Sequence, residues 1–312
     1  MLSELGVKHV TIPLPFRLNH VNCFLAESDR GWIIMDAGLN SEVTRAIWKP
    51  ILEKHEVRDI IITHYHPDHF GYAGELQQLT NAEVWMTKIE EESGLSFWEP
   101  ESLESVHKNY QTYGLPDELS QILTMDEESF ITQVKPYPTV EHHLSEGMEI
   151  SFGKYSYEVI FTPGHSDGLI TLYNKEKSIL FSTDHILPGI SPNISYWFRG
   201  SRNPLESFIN SLETIKSLDV NYVIPSHGMP FYNANKRITE LLEHHQKRLE
   251  QVFGLIKQPS TIYEVSKLLF KVLSIHETRF AIGETLAHLE YLYLNNQCEK
   301  SLHDGTWYYE AT

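Results

Sequence analysis

The stretch Thr63-His64-Tyr65-His66-Pro67-Asp68-His69 places three imidazoles and a carboxylate directly after the isoleucines of RDIIIT. Neutral imidazole nitrogen and carboxylate oxygen are the donors that zinc and related divalent ions prefer. His64 and His66, two apart on an extended segment, can face one ion, and Asp68 and His69 can serve a second one nearby. Pro67 stiffens the segment, which lowers the entropy lost on binding. A solvated loop rich in histidine would carry the same residues, and an isolated HxH is weak evidence for a metal. Three later positions favour the metal: His165 in Pro-Gly-His, Asp184 after the apolar run SILFST, and His227 in Pro-Ser-His-Gly. Gly164 and Gly228 let the backbone turn sharply beside their histidines.

Each of these residues stands where an apolar segment ends. HVTIPL, NCFLAES and GWIIMDAG read as strands, SEVTRAIWKPILEKH as a helix kinked by Pro50, and RDIIIT as a strand buried on both faces. THYHPDHF reads as a loop and GYAGELQQLT as a helix. The second half repeats the pattern: YSYEVIFT, LITLYN, SILFST and VNYVIPSHG are strands, and LESFINSLETIKSL is an amphipathic helix. Polar loops at the carboxyl ends of strands are where α/β proteins place their chemistry. Two halves of like pattern predict two sheets packed face to face with helices outside. The segment from about 86 to 145, punctuated by Gly94, Pro100, Gly114 and Pro116, predicts a helical insertion. It serves either as a spacer or as a lid whose Phe97, Trp98, Tyr110 and Tyr113 cover an apolar substrate.

From Pro259 the texture changes to two helices, STIYEVSKLLFK and FAIGETLAHLEYLYLNN, and a hairpin turning at Asp304-Gly305. This predicts a main domain over 1–258 and a small winged-helix-like module over 259–312. That module holds four basic residues (Lys267, Lys271, Arg279, Lys300) against seven acidic ones, a poor balance for neutralising phosphates. The 312-residue chain as a whole has 25 basic and 42 acidic side chains and a net charge of −17. Nucleic acid is therefore a poor default partner, and the module suits packing or dimerisation, with a homodimer as one expectation. The two cysteines, Cys23 and Cys298, cannot build a disulfide framework or a cysteine zinc site. The start of the chain lacks a signal-peptide pattern, and no run approaches the ~20 apolar residues that span a bilayer. A soluble cytoplasmic protein is expected.

The HxHxDH motif with its three later partners resembles the metallo-β-lactamase-fold hydrolase superfamily, over roughly residues 8 to 232. The tail resembles the branch that includes the lactamase-β-like protein 2 group. The resemblance implies an α/β fold, an αβ/βα four-layer sandwich with the site at one edge. It implies that His64, His66 and His165 hold one ion, that Asp68, His69 and His227 hold the other, and that Asp184 bridges them. Two divalent ions follow, zinc foremost, with iron or manganese accepting the same donors. They would supply a bridging hydroxide for attack on a carbonyl or phosphoryl centre, with Asp68 orienting the nucleophile or receiving its proton. No G-x-S-x-G elbow points to a serine nucleophile.

Departures from the pattern narrow the chemistry. Flavin-linked di-iron members carry glutamate where this chain has His66. Neither cysteine falls at a ligand position, and the bridging Asp184 argues against true β-lactamases. Hydroxyacylglutathione hydrolases share all seven ligands, but their glycine-cysteine-glycine-arginine stretch is replaced here by HILPGISPNISYWFRG. Ile186, Leu187, Ile190, Ile194, Tyr196, Trp197 and Phe198 in that segment offer an apolar wall, and Arg199 and Arg202 can meet an anionic group. Tyr196, Trp197, Phe198 and Arg199 are the candidate substrate residues. An acyl thioester, a small-molecule substrate, fits such a wall best. A lactone, an RNA cut by an endoribonuclease, and metal binding without catalysis are the alternatives. Asp36 suits a supporting position behind the ligands, as does His20, and His185 reads either so or as an outward-facing residue. His142-His143 and His244-His245 read as solvent-facing loop and helix residues.

Overall fold

The computed structural model describes residues 1–98, 100–271 and 273–312. The first sheet follows a short helix α1 (Leu2–Leu5) and comprises β1 (Val7–Pro13), β2 (His20–Ser28), β3 (Gly31–Met35), β4 (Val57–Ile61), β5 (Glu83–Met86) and β6 (Val140–His143), in that spatial order. β1 to β3 pair antiparallel and β3 to β6 parallel. Between them lie α2 (Glu42–Leu52), α3 (Pro67–Phe70) and α4 (Ala73–Thr80). Helices α5 (Lys88–Phe97), α6 (Pro100–Thr112) and α7 (Asp117–Glu128) follow β5.

The second sheet is built from β7 (Glu149–Phe152), β8 (Tyr155–Phe161), β9 (Ile170–Asn174), β10 (Ile179–Thr183), β11 (Tyr222–Pro225) and β12 (Phe231–Tyr232), with the order running from β12 to β7. Its β10–β11 pair is parallel. Helices α8 (Pro204–Lys216) and α9 (Ala234–Leu255) cover its outer face.

Phe24, Met35 and Ile61 of the first sheet meet Tyr157, Leu172 and Phe181 of the second in one apolar layer. A fully buried Phe181 contributes roughly 1.5–3 kcal/mol. On the far side of the first sheet, Trp48 from α2 and Leu76 from α4 pack on Ile34 and Ile60. Trp48 stays satisfied because its Nε1 donates to Ala37 O at 2.9 Å. Helix, sheet, sheet, helix is the expected four-layer order. β9 and β10 are buried at every position, the mark of strands covered on both faces.

Three local readings change. THYHPDHF is not all loop: Pro67 at N1, with its φ already helical, starts α3 over Pro67–Phe70. Val140–His143, inside the stretch that predicts a helical insertion, form β6 at the edge of the first sheet. His142 and His143 therefore sit on a strand and pair with Glu83 and Glu91, charged side chains of the kind that protect an edge. The solvent-facing reading of His244-His245 fails at His245, which is buried under the face of α9 turned to the core.

The C-terminal elements are α10 (Ile262–Leu269), α11 (Ile275–Leu294) and the hairpin β13 (Cys298–His303)–β14 (Thr306–Ala311). Both helices open with capping boxes, Thr261 with Glu264 and Ser274 with Glu277. Asp304 and Gly305 both have positive φ, as a tight hairpin turn requires. α11 is buried on most sides and packs on α7, α8, α9 and α10. Cys23 and Cys298 are free and buried. Among the described residues no helix is long and apolar enough to cross a membrane.

Candidate metal centre

The seven residues singled out from the sequence converge at one edge of the two sheets. β4 delivers His64, His66, Asp68 and His69, the turn after β8 delivers His165, β10 delivers Asp184, and β11 delivers His227. Three groups have donor atoms within 4.8 Å of one another: His64 with His66 and His165, His64 with His69 and Asp184, and Asp68 with His69 and His227. Asp184 lies between the outer two. Its Oδ1 is 3.5 Å from His69 Nε2, and its Oδ2 is 3.2 Å from His227 Nε2 and 3.5 Å from His165 Nε2. Thr183, the residue before it, is held at φ 48°. That conformation is costly for a β-branched side chain; Thr183 Oγ1 donates to Ile170 O at 2.9 Å there.

The electrostatics divide the cluster. Burial pushes His64, His66 and His165 below the ordinary histidine range, so these rings are neutral, the form that ligates. Burial acts the same way on His69 and His227, but the carboxylates of Asp184 and Asp68, joined by Asp36 at His69, outweigh it. His69 is raised well above its ordinary value and His227 is pushed up to about 10. Burial opposes ionisation of Asp68, yet His69 and His227 hold it down at about 2.

The residues fit a cation. His64 Nε2, His69 Nε2, His227 Nε2 and Asp184 Oδ1 are buried with no hydrogen-bond partner among the described residues. Buried polar atoms are ordinarily satisfied, and four facing inward together leave a space whose natural occupant is positive. The other ring nitrogens are committed. His69 Nδ1 donates to Asp36 Oδ2 at 2.7 Å, His165 Nδ1 to Asn193 O at 2.8 Å, and His227 Nδ1 to His20 O at 2.6 Å. Such bonds hold a proton on Nδ1, so that Nε2 is the atom left to ligate; His165 Nε2 lies 2.9 Å from His66 Nδ1, the ring proposed to share its ion.

Asp36 also accepts from Thr63 N and Thr63 Oγ1, both at 2.9 Å, so it is the support its position at the end of β3 suggested. His20 approaches through its backbone carbonyl, and its Nε2 accepts from Gly228 N. His185 turns into the core against Phe208. The sequence reading misses Glu90. It is fully buried and accepts from Tyr65 N at 2.8 Å and from Gly168 N, tying the HxHxDH loop to the loop of His165. Thr87-x-x-Glu90 reads in the sequence as a capping box, and Thr87 does cap α5, but the glutamate reaches elsewhere.

A cleft of about 830 Å³ opens over this cluster and reaches His66, Asp68, His165, Asp184 and His227. Phe16, Phe97, Trp98, Phe130, Trp197 and Phe280 line it. Of the candidate substrate residues, Trp197 faces the cleft. Tyr196 and Phe198 pack instead into the outer core, with Phe198 against Tyr110 and Tyr113. Arg199 stacks on Phe97 and bonds Ser96 O and Ser102 Oγ beside a smaller polar hollow. Phe97 and Trp98 line the cleft, whereas Tyr110 and Tyr113 are core.

Fold and cluster together define a metal-dependent hydrolase. The chain belongs to the Metallo-beta-lactamase superfamily, whose description matches residues 17–227, and residues 249–312 match the Metallo-beta-lactamase-like, C-terminal domain. A metallo-beta-lactamase family protein of Thermus thermophilus is 30% identical, with a TM-score of 0.87 over 98% of this chain and 99% of its own. The "Probable metallo-hydrolase YqjP" of Bacillus subtilis (strain 168) is 25% identical over 91% of both chains. More distant are a hydroxyacylglutathione hydrolase of Haemophilus influenzae, 25% identical over 69% of this chain and 89% of its own, and an atrochrysone carboxyl ACP thioesterase of Aspergillus fumigatus, 20% identical over 77% and 61%.

Proposed function

We propose that the protein hydrolyses small-molecule acyl thioesters at a dinuclear metal centre. His64, His66 and His165 would hold one ion and Asp68, His69 and His227 the second, with Asp184, which lies between the two groups, available to both. Zinc is the first choice, with iron and manganese suited to the same nitrogen and oxygen donors. The bound ions supply an acidified water and polarisation of the scissile carbonyl. Asp68, ionised and partly open to the cleft, accepts a hydrogen bond from the attacking water and orients it. The aromatic walls hold the acyl chain and exclude bulk water.

The cleft opening directly on the cluster carries this reading, since its aromatic walls suit an acyl group; Arg17, Arg237, Arg248 and Arg279 line it as well. Relatives named as a hydroxyacylglutathione hydrolase and an acyl-carrier thioesterase support it. The net charge of −17 disfavours RNA. A lactone would use the same donors and walls and is the second reading.

The test is turnover of metal-loaded protein on acyl thioesters of several chain lengths, acyl lactones and single-stranded RNA, with His165→Ala as control. Chain-length-dependent thioester turnover, lost in the variant, is expected. RNA cleavage alone, equally lost in the variant, would refute the acyl reading.

A further inference from the structure

The segment that joins Asp184 to α8 contains no helix or strand, yet it supplies the partner of one proposed ligand: Asn193 O accepts from His165 Nδ1 at 2.8 Å. A loop without internal ladders takes its shape from what it lies on: Arg237 of α9 holds its first part through Leu187 O and Ile190 O, and α11 underlies the part around Asn193. Tyr196 N donates to Gly283 O at 3.1 Å, and Asn193 Nδ2 donates to Phe280 O at 3.5 Å. Ser195 Oγ donates to Asn193 Oδ1, which braces the loop from within. Upstream, Ser191 Oγ is hydrogen-bonded to His245, which in turn bonds His288 of α11.

The contact between loop and helix is closest at Gly283. A methyl group there would stand 2.5 Å from Ser195 Oγ and 2.7 Å from Ser195 Cβ, with Ser195 Cα at 3.6 Å. Ser195 is buried, and rotation of its side chain moves Oγ but not Cβ. Glycine inside a helix costs about 0.5–1 kcal/mol relative to alanine, so its presence in the middle of α11 calls for a reason. The absence of a side chain lets Ser195 lie against the helix backbone.

We propose that α11 of the C-terminal module positions the metal centre: Gly283 seats the 185–200 loop so that Asn193 O holds His165 with Nε2 facing the ions. The module then acts as part of the hydrolase site rather than as a nucleic-acid reader. Gly283 and Asn193 are positioning residues. This proposal rests on the ligand set given above.

The experiment titrates metal-stripped, full-length protein with Co²⁺, reading the visible spectrum and the stepwise affinities by chelator competition. Gly283→Ala should weaken one binding step by about 10–100-fold, the range for loss of a ligand's supporting partner. The same step should be lost in His165→Ala. Ser195→Gly in the Gly283→Ala background leaves only the 3.6 Å contact and should restore part of the affinity, the remainder being lost with the Ser195 Oγ–Asn193 Oδ1 brace. Gly254→Ala, on the exposed face of α9 with open space around it, should raise the melting temperature and leave both steps unchanged. Should Gly283→Ala not fold, Asn193→Ala, which keeps the carbonyl but removes both side-chain braces, should weaken the same step.

Wild-type affinities in both Gly283→Ala and Asn193→Ala would overturn the proposal, as would a Gly283→Ala loss of which Ser195→Gly restores no part. A wild-type protein that binds no Co²⁺, or a His165→Ala variant that binds it normally, would instead overturn the ligand set and this inference with it.

Discussion

Asparagine at position 36 separates the charge behind the metal centre from its shape. Asp36 sits at φ 62°, a conformation that asparagine tolerates as well as aspartate, and the two side chains are nearly isosteric. The carboxylate accepts three hydrogen bonds: Thr63 N at Oδ1, and Thr63 Oγ1 and His69 Nδ1 at Oδ2. An amide has one oxygen. The backbone N–H of Thr63 cannot reverse, so the amide oxygen stays with it and the NH₂ meets Thr63 Oγ1 and His69 Nδ1. The hydroxyl can rotate to accept. The imidazole can accept only by moving its proton to Nε2, the atom 3.5 Å from Asp184 Oδ1 that is meant to ligate.

Either the proton occupies the ligating atom or a buried donor faces another donor. The second arrangement costs about 1–3 kcal/mol, and comparable losses of a supporting partner weaken metal affinity by about 10–100-fold. Asp36→Asn should therefore lose about that much affinity at the His69 ion while the metal-free melting temperature moves little. Chelator competition on metal-stripped protein measures the first, and circular dichroism the second. Both stepwise affinities within twofold of wild type would refute the reasoning.

Other outcomes follow from the same geometry. His69 and His227 are protonated near neutral pH without a cation, His227 holding its proton up to about 10, so metal uptake should release about two protons and tighten as pH rises. Calorimetry in buffers of different ionisation enthalpy reads the number, and zero release would contradict the assignment. Glu90 is raised from 4.5 to about 7 by burial. The folded state then binds the extra proton between those values, and stability falls as pH rises through that window, by about 3 kcal/mol. Glu90→Gln removes this component, so the wild-type advantage over the variant should shrink from pH 4.5 to 7; an advantage that grows would refute it. Phe181→Ala, at the centre of the layer between the sheets, should cost about 3–5 kcal/mol in chemical denaturation, and a loss below 1 kcal/mol would show that the sheets collapse onto the gap.

The strands were legible because their burial writes itself into the sequence. The isoleucines of RDIIIT, and the largely apolar LITLYN and SILFST, lack alternation since both faces of the strand are covered there. The residues of the candidate metal site were legible because four lie within six positions and the other three stand at strand ends, so local order carries most of the pattern. What tertiary structure alone decided is which other residues lie behind them. Glu90, Asn193 and Gly283 lie far along the chain from the atoms they brace, and each has an ordinary local explanation: a helix cap, a loop amide, a helix glycine.

The 185–200 segment shows the limit most directly. Its aromatic residues are equally suited to a cleft or a core by composition. With no periodicity to fix their directions, packing on α11, α5 and α6 sent Trp197 to the cleft and Tyr196 and Phe198 inward. His245 escapes the sequence for the same reason: its neighbour His244 lines the cleft, and one residue of helical phase, set by how α9 rolls against the core, separates open from buried. Spacing along the chain determined which residues could ligate. The direction a side chain points, where no repeat constrains it, was decided by the surface it packs against.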